Sequence, residues 1–246
     1  MTAVPSPATV ERIVVSDPIA LATTAAERML ARIDANRGRI AICLTGGSSP
    51  QQLYRLLATD RWSKRVPWDR THWFISDERF VPPSDSRNNM AAARDIFLDR
   101  FAPKDHVHPI RTGAGDPDQA ANLYEAELQA FYGAADLNPA RPLFDLVLMG
   151  IGPDGHTASL FPGYPELDER KRWVVGVPQA HVEPFVPRVT LTLPPLASCR
   201  EMLFEAAGRE KRSILAKLSQ DESLPANRAR SIGVTVLLAD QAAIGE

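Results

Sequence analysis

The chain repeats one pattern: short runs that are apolar on consecutive residues, separated by longer stretches with apolar residues at helical spacing. A strand apolar on every residue hides both of its faces. Such runs occur at Arg12–Ser16, Arg39–Thr45, His72–Ser76, Phe144–Met149, Trp173–Val177, Arg188–Leu193, Met202–Ala207 and Val234–Leu238. Helical spacing covers Pro18–Asn36, Pro50–Thr59, Asn88–Arg100, Asp118–Tyr132 and Arg209–Leu218. Strands buried on both faces and alternating with helices predict an α/β fold with a mostly parallel sheet sandwiched by helices. In such sheets a ligand lies beyond the carboxyl ends of the strands, at a topological switch point. The residues that follow Leu44, Ser76 and Met149 are therefore the first to inspect.

Composition bounds the rest. A chain of 246 residues fits one domain, with no internal repeat and only short Pro-rich loops. The net charge of −2 argues against a dedicated nucleic-acid binder, which would show a basic face, and leaves room for a local basic pocket. No apolar run reaches the roughly 18 residues a membrane-spanning helix needs. The first ten residues lack the basic and apolar regions of a secretory leader. Cys43 and Cys199 sit in apolar runs without metal-ligand or CxxC spacing, which fits a reducing compartment, although two cysteines can also form one bridge. The expected location is the cytoplasm, with no membrane partner.

Three strand-end loops carry the chemistry. The first is Thr45-Gly46-Gly47-Ser48-Ser49-Pro50. Its glycines let the backbone approach an anion, and the following helix N-terminus offers free N–H groups. A plain strand-to-helix turn with Ser49 as cap is the alternative. No Gly-Lys-Ser/Thr follows, so it is not a P-loop. The second is Ser76-Asp77-Glu78-Arg79, two carboxylates and a guanidinium that a packing role does not demand; local ion pairs in a solvated loop are the alternative. The third runs Gly150-Ile151-Gly152-Pro153-Asp154-Gly155-His156 after the most apolar strand. Here His156 is a candidate general base and Asp154 the carboxylate to orient it; a purely structural histidine is the alternative. The loop also spells G-x-G-x-x-G. A dinucleotide site needs a long helix next, and Pro162 and Pro165 break any such helix, so no redox cofactor is expected.

Together these loops resemble the 6-phosphogluconolactonase family. The matching segments are LTGGSSP (44–50), FISDERFVP (74–82), DLVLMGIGPDGHTASLFPG (145–163), RVTLT (188–192) and AAGREK (206–211). The resemblance implies a Rossmann-like open, mostly parallel sheet with helices on both faces, the NagB/RpiA/CoA transferase-like arrangement. It also implies hydrolysis of 6-phospho-D-glucono-1,5-lactone to 6-phospho-D-gluconate in the oxidative branch of the pentose phosphate pathway. No metal and no coenzyme are implied. Residues 1–246 would form a single sugar-phosphate-binding catalytic domain, acting as a monomer or small homo-oligomer, with 1–10 a flexible N-terminal segment. By position, His156 would be the base with Asp154 beside it, and Asp77 and Arg79 would lie near the lactone ring. Thr45, Gly46, Gly47, Ser48, Arg188 and Lys211 would face the phosphate. The stretch Ser86-Arg87-Asn88-Asn89 departs from the expected adjacent Ser-Asn, so no ligand role is assigned to it.

The residues also bear on two rivals. A related glucosamine-6-phosphate deaminase would carry a further carboxylate soon after the Asp-Gly-His turn. Thr157 to Pro162 (TASLFP) holds none, and the next acid is Glu166. A non-catalytic sugar-phosphate sensor would add a partner domain, whereas sheet elements here fill Arg12 to Leu238.

Overall fold

A computed structural model describes residues 10–245. Among the described residues nine strands form two sheets. Six of them, β1 (Val10–Val15), β2 (Ile40–Leu44), β3 (Thr71–Ile75), β5 (Leu146–Met149), β8 (Glu201–Ala206) and β9 (Val234–Asp240), make a wholly parallel sheet in the order β1-β9-β8-β5-β2-β3. Every residue of β2, β5 and β8 is buried, so the centre of this sheet is covered on both faces, as the unbroken apolar runs require. Residues 1–9 of the expected N-terminal segment lie outside the described residues. Its last member, Val10, is already strand and pairs with Thr235.

The helices follow their sequence signals. Helix α1 (Pro18–Ala35) starts on Asp17, whose carboxylate accepts from the N–H of Ile19 and Ala20, with Pro18 at the first position. It buries Leu21, Ala25, Met29, Leu30 and Ile33, one stripe at helical period. Helix α2 is Ser48–Leu57, two residues earlier than the proline at position 50 suggests. The helix expected from Asn88 is capped by that residue's side chain and runs Asn89–Ala93 into a π turn at Arg94–Leu98.

The one departure in topology concerns the remaining strands. Val174–Val177 (β6) and Arg188–Leu191 (β7) do not join the parallel sheet. With Asp77–Arg79 (β4) they form an antiparallel sheet in the order β4-β7-β6. The reason lies in the connection. Parallel neighbours need a crossover of a dozen or more residues, usually a helix. Residues 178–187 are too few, and Pro178, Pro184 and Pro187 deny them a helix. Ser76 joins the two sheets alone: its N–H donates to Leu44 O (2.9 Å) and its carbonyl accepts from Leu191 N–H (2.8 Å). Helix Pro117–Tyr132 packs against the small sheet, and its Tyr124 hydroxyl donates to Ile75 O (3.1 Å) and accepts from Ile75 N–H (3.0 Å).

Strand β2 connects onward to β3 on one side, while β5 lies on its other side. The crevice between the carboxyl ends of β2 and β5 is thus the switch point. The Thr45–Ser48 and Gly150–His156 loops both leave from it.

Candidate active site

The loop after β5 is closed by its own backbone. Gly152 N–H donates to His156 O (2.8 Å), Gly155 N–H to Gly152 O (3.0 Å), and the Thr157 hydroxyl to Gly150 O (2.8 Å). This ring presents His156 with its Nδ1 2.5 Å from Asp154 Oδ1. The imidazole lies directly over Gly152, where a Cβ would come within 2.0 Å of it, so the loop needs glycine at that position. The other carboxylate oxygen of Asp154 is 2.8 Å from His181 Nε2. Burial alone would raise the Asp154 pKa. The hydrogen bond and charge of His156, with the bond to His181, outweigh it and hold the carboxyl well below the usual range. Asp154 is therefore ionised, and Nε2 is the ring nitrogen of His156 left for chemistry.

The loop after β2 faces this ring. Gly47, at φ +113°, is the N-cap of α2, and no side chain caps the helix. Its first N–H groups stay open to an anion, with the helix dipole behind them. Gly46 lets Asn89 approach: a Cβ there would meet the Asn89 amide at 2.2 Å.

The small sheet supplies the third wall. Asp77 is buried and accepts from the Ser159 hydroxyl at 2.6 Å. Glu78, fully buried, accepts from the N–H of Arg79 (2.9 Å), Asn89 (2.6 Å) and Met90 (2.9 Å). Burial pushes its pKa up to about 7 against the lowering effect of those bonds. Arg79 and Arg188 stand opposite each other across β4 and β7. Cross-strand partners share one face, so an assignment of Arg79 to the ring and Arg188 to the phosphate does not separate them in space.

The cations are left without acids. Arg79 donates to Arg87 O (2.9 Å), Arg188 to Pro184 O (2.8 Å) and Val186 O (3.3 Å), and Lys211 Nζ to Ile151 O (2.8 Å). Among the described residues none of the three has a carboxylate within ion-pair distance, and the buried Nε of Arg79 has no partner at all. Burial lowers the pKa of both Arg188 and Lys211. Positive charge held this way, buried at Arg188 and half-buried at Arg79 and Lys211, without a counter-ion, is a site for an anion.

Every expected site residue except Asp154 lines one cleft of about 210 Å³: Thr45, Gly46, Gly47, Ser48, Asp77, Arg79, His156, Arg188 and Lys211. Asp154 stands behind His156. Clefts of about 620 and 340 Å³ lie elsewhere, and neither is lined by a histidine. Three functional candidates escape the sequence reading. Asn89, in the stretch given no role, lines the cleft and donates to Asp77 O at 3.1 Å. His181 comes from a Pro-rich loop with no pattern to mark it. Glu205 also lines the cleft, and an acid inside the apolar run MLFEA was a signal available for it.

The model of the glucosamine-6-phosphate isomerases/6-phosphogluconolactonase family matches residues 16–237. The chain belongs to this family. Among its relatives, the 6-phosphogluconolactonase of Nostoc sp. is 35% identical over 243 residues, 95% of this chain and 96% of that one. The 6-phosphogluconolactonase of Mycobacterium leprae is 38% identical over 239 residues, 93% and 94% of the two chains. The structure of the family's 6-phosphogluconolactonase from Trypanosoma cruzi superposes with a TM-score of 0.86, at 28% identity over 98% of each chain. The family's open α/β fold is thus that of this chain.

Proposed function

We propose that this protein hydrolyses 6-phospho-D-glucono-1,5-lactone to 6-phospho-D-gluconate, the lactone-opening step of the oxidative pentose phosphate pathway, and that residues 1–246 act as one catalytic domain. One observation carries the reading: an Asp-oriented histidine faces a cleft whose walls hold three cations without counter-ions and an uncapped helix N-terminus. The resemblance of the whole chain to 6-phosphogluconolactonases supports it.

In this reading the phosphate lies at Thr45–Ser48 within reach of Lys211 and Arg188, and the lactone carbonyl lies near His156. His156 Nε2 takes a proton from water as its oxygen bonds to C1. Asp154 fixes the ring and stabilises the imidazolium. The carbonyl becomes an oxyanion, and the Arg79 guanidinium and the backbone N–H groups of Gly46 and Gly47, which line the cleft, are the donors near it. The intermediate collapses as the bond from C1 to the ring oxygen breaks. That oxygen takes the proton back from His156, and the new carboxylic acid releases one proton to solvent. Ser159 holds one Asp77 oxygen by its hydroxyl at 2.6 Å, and the Ser76 hydroxyl lies 3.4 Å from the other. The free, buried thiols of Cys43 and Cys199 suit a reducing compartment, and we place the activity in the cytoplasm.

A deaminase needs a further carboxylate to move a proton between sugar carbons, and the segment 157–162 after His156 has none. The test is direct. Purified protein is offered fresh 6-phosphogluconolactone and, separately, glucosamine 6-phosphate. Acid release above the spontaneous rate from the first and no ammonia from the second is the expected result. Ammonia release, or no catalysis of lactone opening, would overturn the proposal.

A further inference from the structure

Two acids occupy the same face of β8, four residues apart, and their fates differ. Glu201 is buried but bonded by Arg28 Nε (2.5 Å) and Arg32 Nε (2.6 Å) of α1. Glu205 is 1% exposed, and neither of its carboxyl oxygens has a hydrogen-bond partner. It is the one carboxyl among the described residues left so at both oxygens. A buried polar group without a partner is costly and calls for an explanation outside packing.

Its position offers one. Val147 of β5 pairs with both Cys43 of β2 and Met202 of β8. Continuing that register brings Glu205 level with Gly150 and Gly46, two residues without side chains at the strand ends. Glu205 is thus one of the residues lining the cleft beside the Thr45–Ser48 loop, with its carboxyl oxygens covered and meeting no hydrogen-bonding neighbour. The charged and titratable groups around it are few. Helix α2 contributes Tyr54, whose hydroxyl is committed to Thr45 O at 2.8 Å. The turn after β8 contributes Lys211, committed to Ile151 O. His156, Asp77, Arg79 and Arg188 lie on the other walls of the cleft. The buried residues of α1, which packs on this face, are all apolar. No base near Glu205 compels it to ionise, and burial pushes its pKa up to about 8. An ionised carboxylate here would oppose the anion the cleft is built to hold. A protonated one is a donor.

We propose that Glu205 is a substrate-binding residue: as a neutral carboxylic acid it donates a hydrogen bond to a phosphate oxygen of the sugar phosphate seated at Thr45–Ser48, and it rejects that dianion once it has lost its proton. This rests on the lactonase reading only for which sugar phosphate is bound. No bond breaks; one proton stays on the carboxyl, shared with the phosphate.

The test is calorimetric binding of 6-phosphogluconate, with gluconate as the control lacking phosphate, from pH 6.5 to 9.5. Wild-type affinity should fall about tenfold per pH unit above pH 8, with net proton uptake on binding there. Glu205→Gln keeps the shape and a donor but cannot ionise. It should bind comparably at pH 7, lose the proton uptake, and bind tighter than wild type at pH 9. Glu205→Leu should bind at least several-fold more weakly at pH 7 with the same flattened profile. Lys211 is present in wild type and variants alike, so the difference between profiles reports the change at Glu205. A Glu205→Gln profile superimposable on wild type, or a Glu205→Leu variant that binds phosphate as well as wild type, overturns the proposal. Lactone turnover by the wild type at pH 7 is measured alongside. Its absence would sink the lactonase reading while leaving the pH comparison of phosphate binding intact.

Discussion

Gly152 and His156 show how much of the site depends on a few atoms. The imidazole rests where a side chain at 152 would begin, so Gly152→Ala must tilt the ring away from Asp154 or open the loop. A misplacement of about 1 Å costs on the order of a hundredfold in rate, and that is the fall in kcat expected, with KM little changed. Replacing the base itself, His156→Asn, should lower kcat by at least ~10² while substrate still binds. Near-native turnover of His156→Asn would move the base elsewhere, with Asp77 the next candidate, and near-native turnover of Gly152→Ala would show that the loop accommodates a side chain at 152. Lys211→Ala should act differently, mainly raising KM by the roughly 1.5–3 kcal/mol of a lost charged hydrogen bond. An unphosphorylated gluconolactone should be hydrolysed by it almost as by the wild type; equal losses on both lactones would remove Lys211 from the phosphate site. The residues that carry this chemistry were legible because loops at strand ends concentrate them. His181 and Asn89 were not, because each reaches the site from a segment whose own pattern says nothing about where it docks.

Among elements, β4 matters beyond its three residues. It follows β3 after Ser76 alone, and its Glu78 gathers three backbone N–H groups, two of them from the start of the helix at Asn89. Glu78→Ala leaves these donors buried and unpaired, at about 1–3 kcal/mol. Chemical denaturation should show that loss, and because Asn89 touches Gly46 the cleft should be disturbed with it. Glu78→Gln, which keeps an acceptor, should lose less. The strands of the parallel sheet were legible because burial on both faces leaves an unbroken apolar run. The separate sheet was not, because β6 and β7 are also buried throughout, and only the short, proline-interrupted connection between them betrays antiparallel pairing.

The molecule as a whole should respond to pH in two opposing ways. At the amino ends of the strands, His72 stacks on His106 with ring centres 4.0 Å apart, and its Nδ1 is 3.0 Å from His108 Nε2. Burial first, then the neighbouring histidines, pull the His72 pKa down to about 4. A histidine depressed in the folded state is protonated more readily when unfolded. Stability should therefore fall as pH drops from about 6.5 towards 4, and His72→Phe should blunt that fall in a melting-temperature series. Glu205 works the other way: raised on folding to about 8, it favours the folded state most below about pH 4.5 and loses that contribution as pH rises through 8. The melting temperature of Glu205→Gln relative to wild type should accordingly climb with pH across that window. The joint at Ser76 has a different consequence. One residue, bonded to both sheets, spans the floor between them, and Ser159 ties the histidine loop to Asp77, so the walls of the cleft are linked at its base. The site is a fixed gauge. It measures the span from the phosphate seat to the carbonyl, and a pentonolactone phosphate one carbon shorter should seat its phosphate yet fall short of the base, binding without turning over.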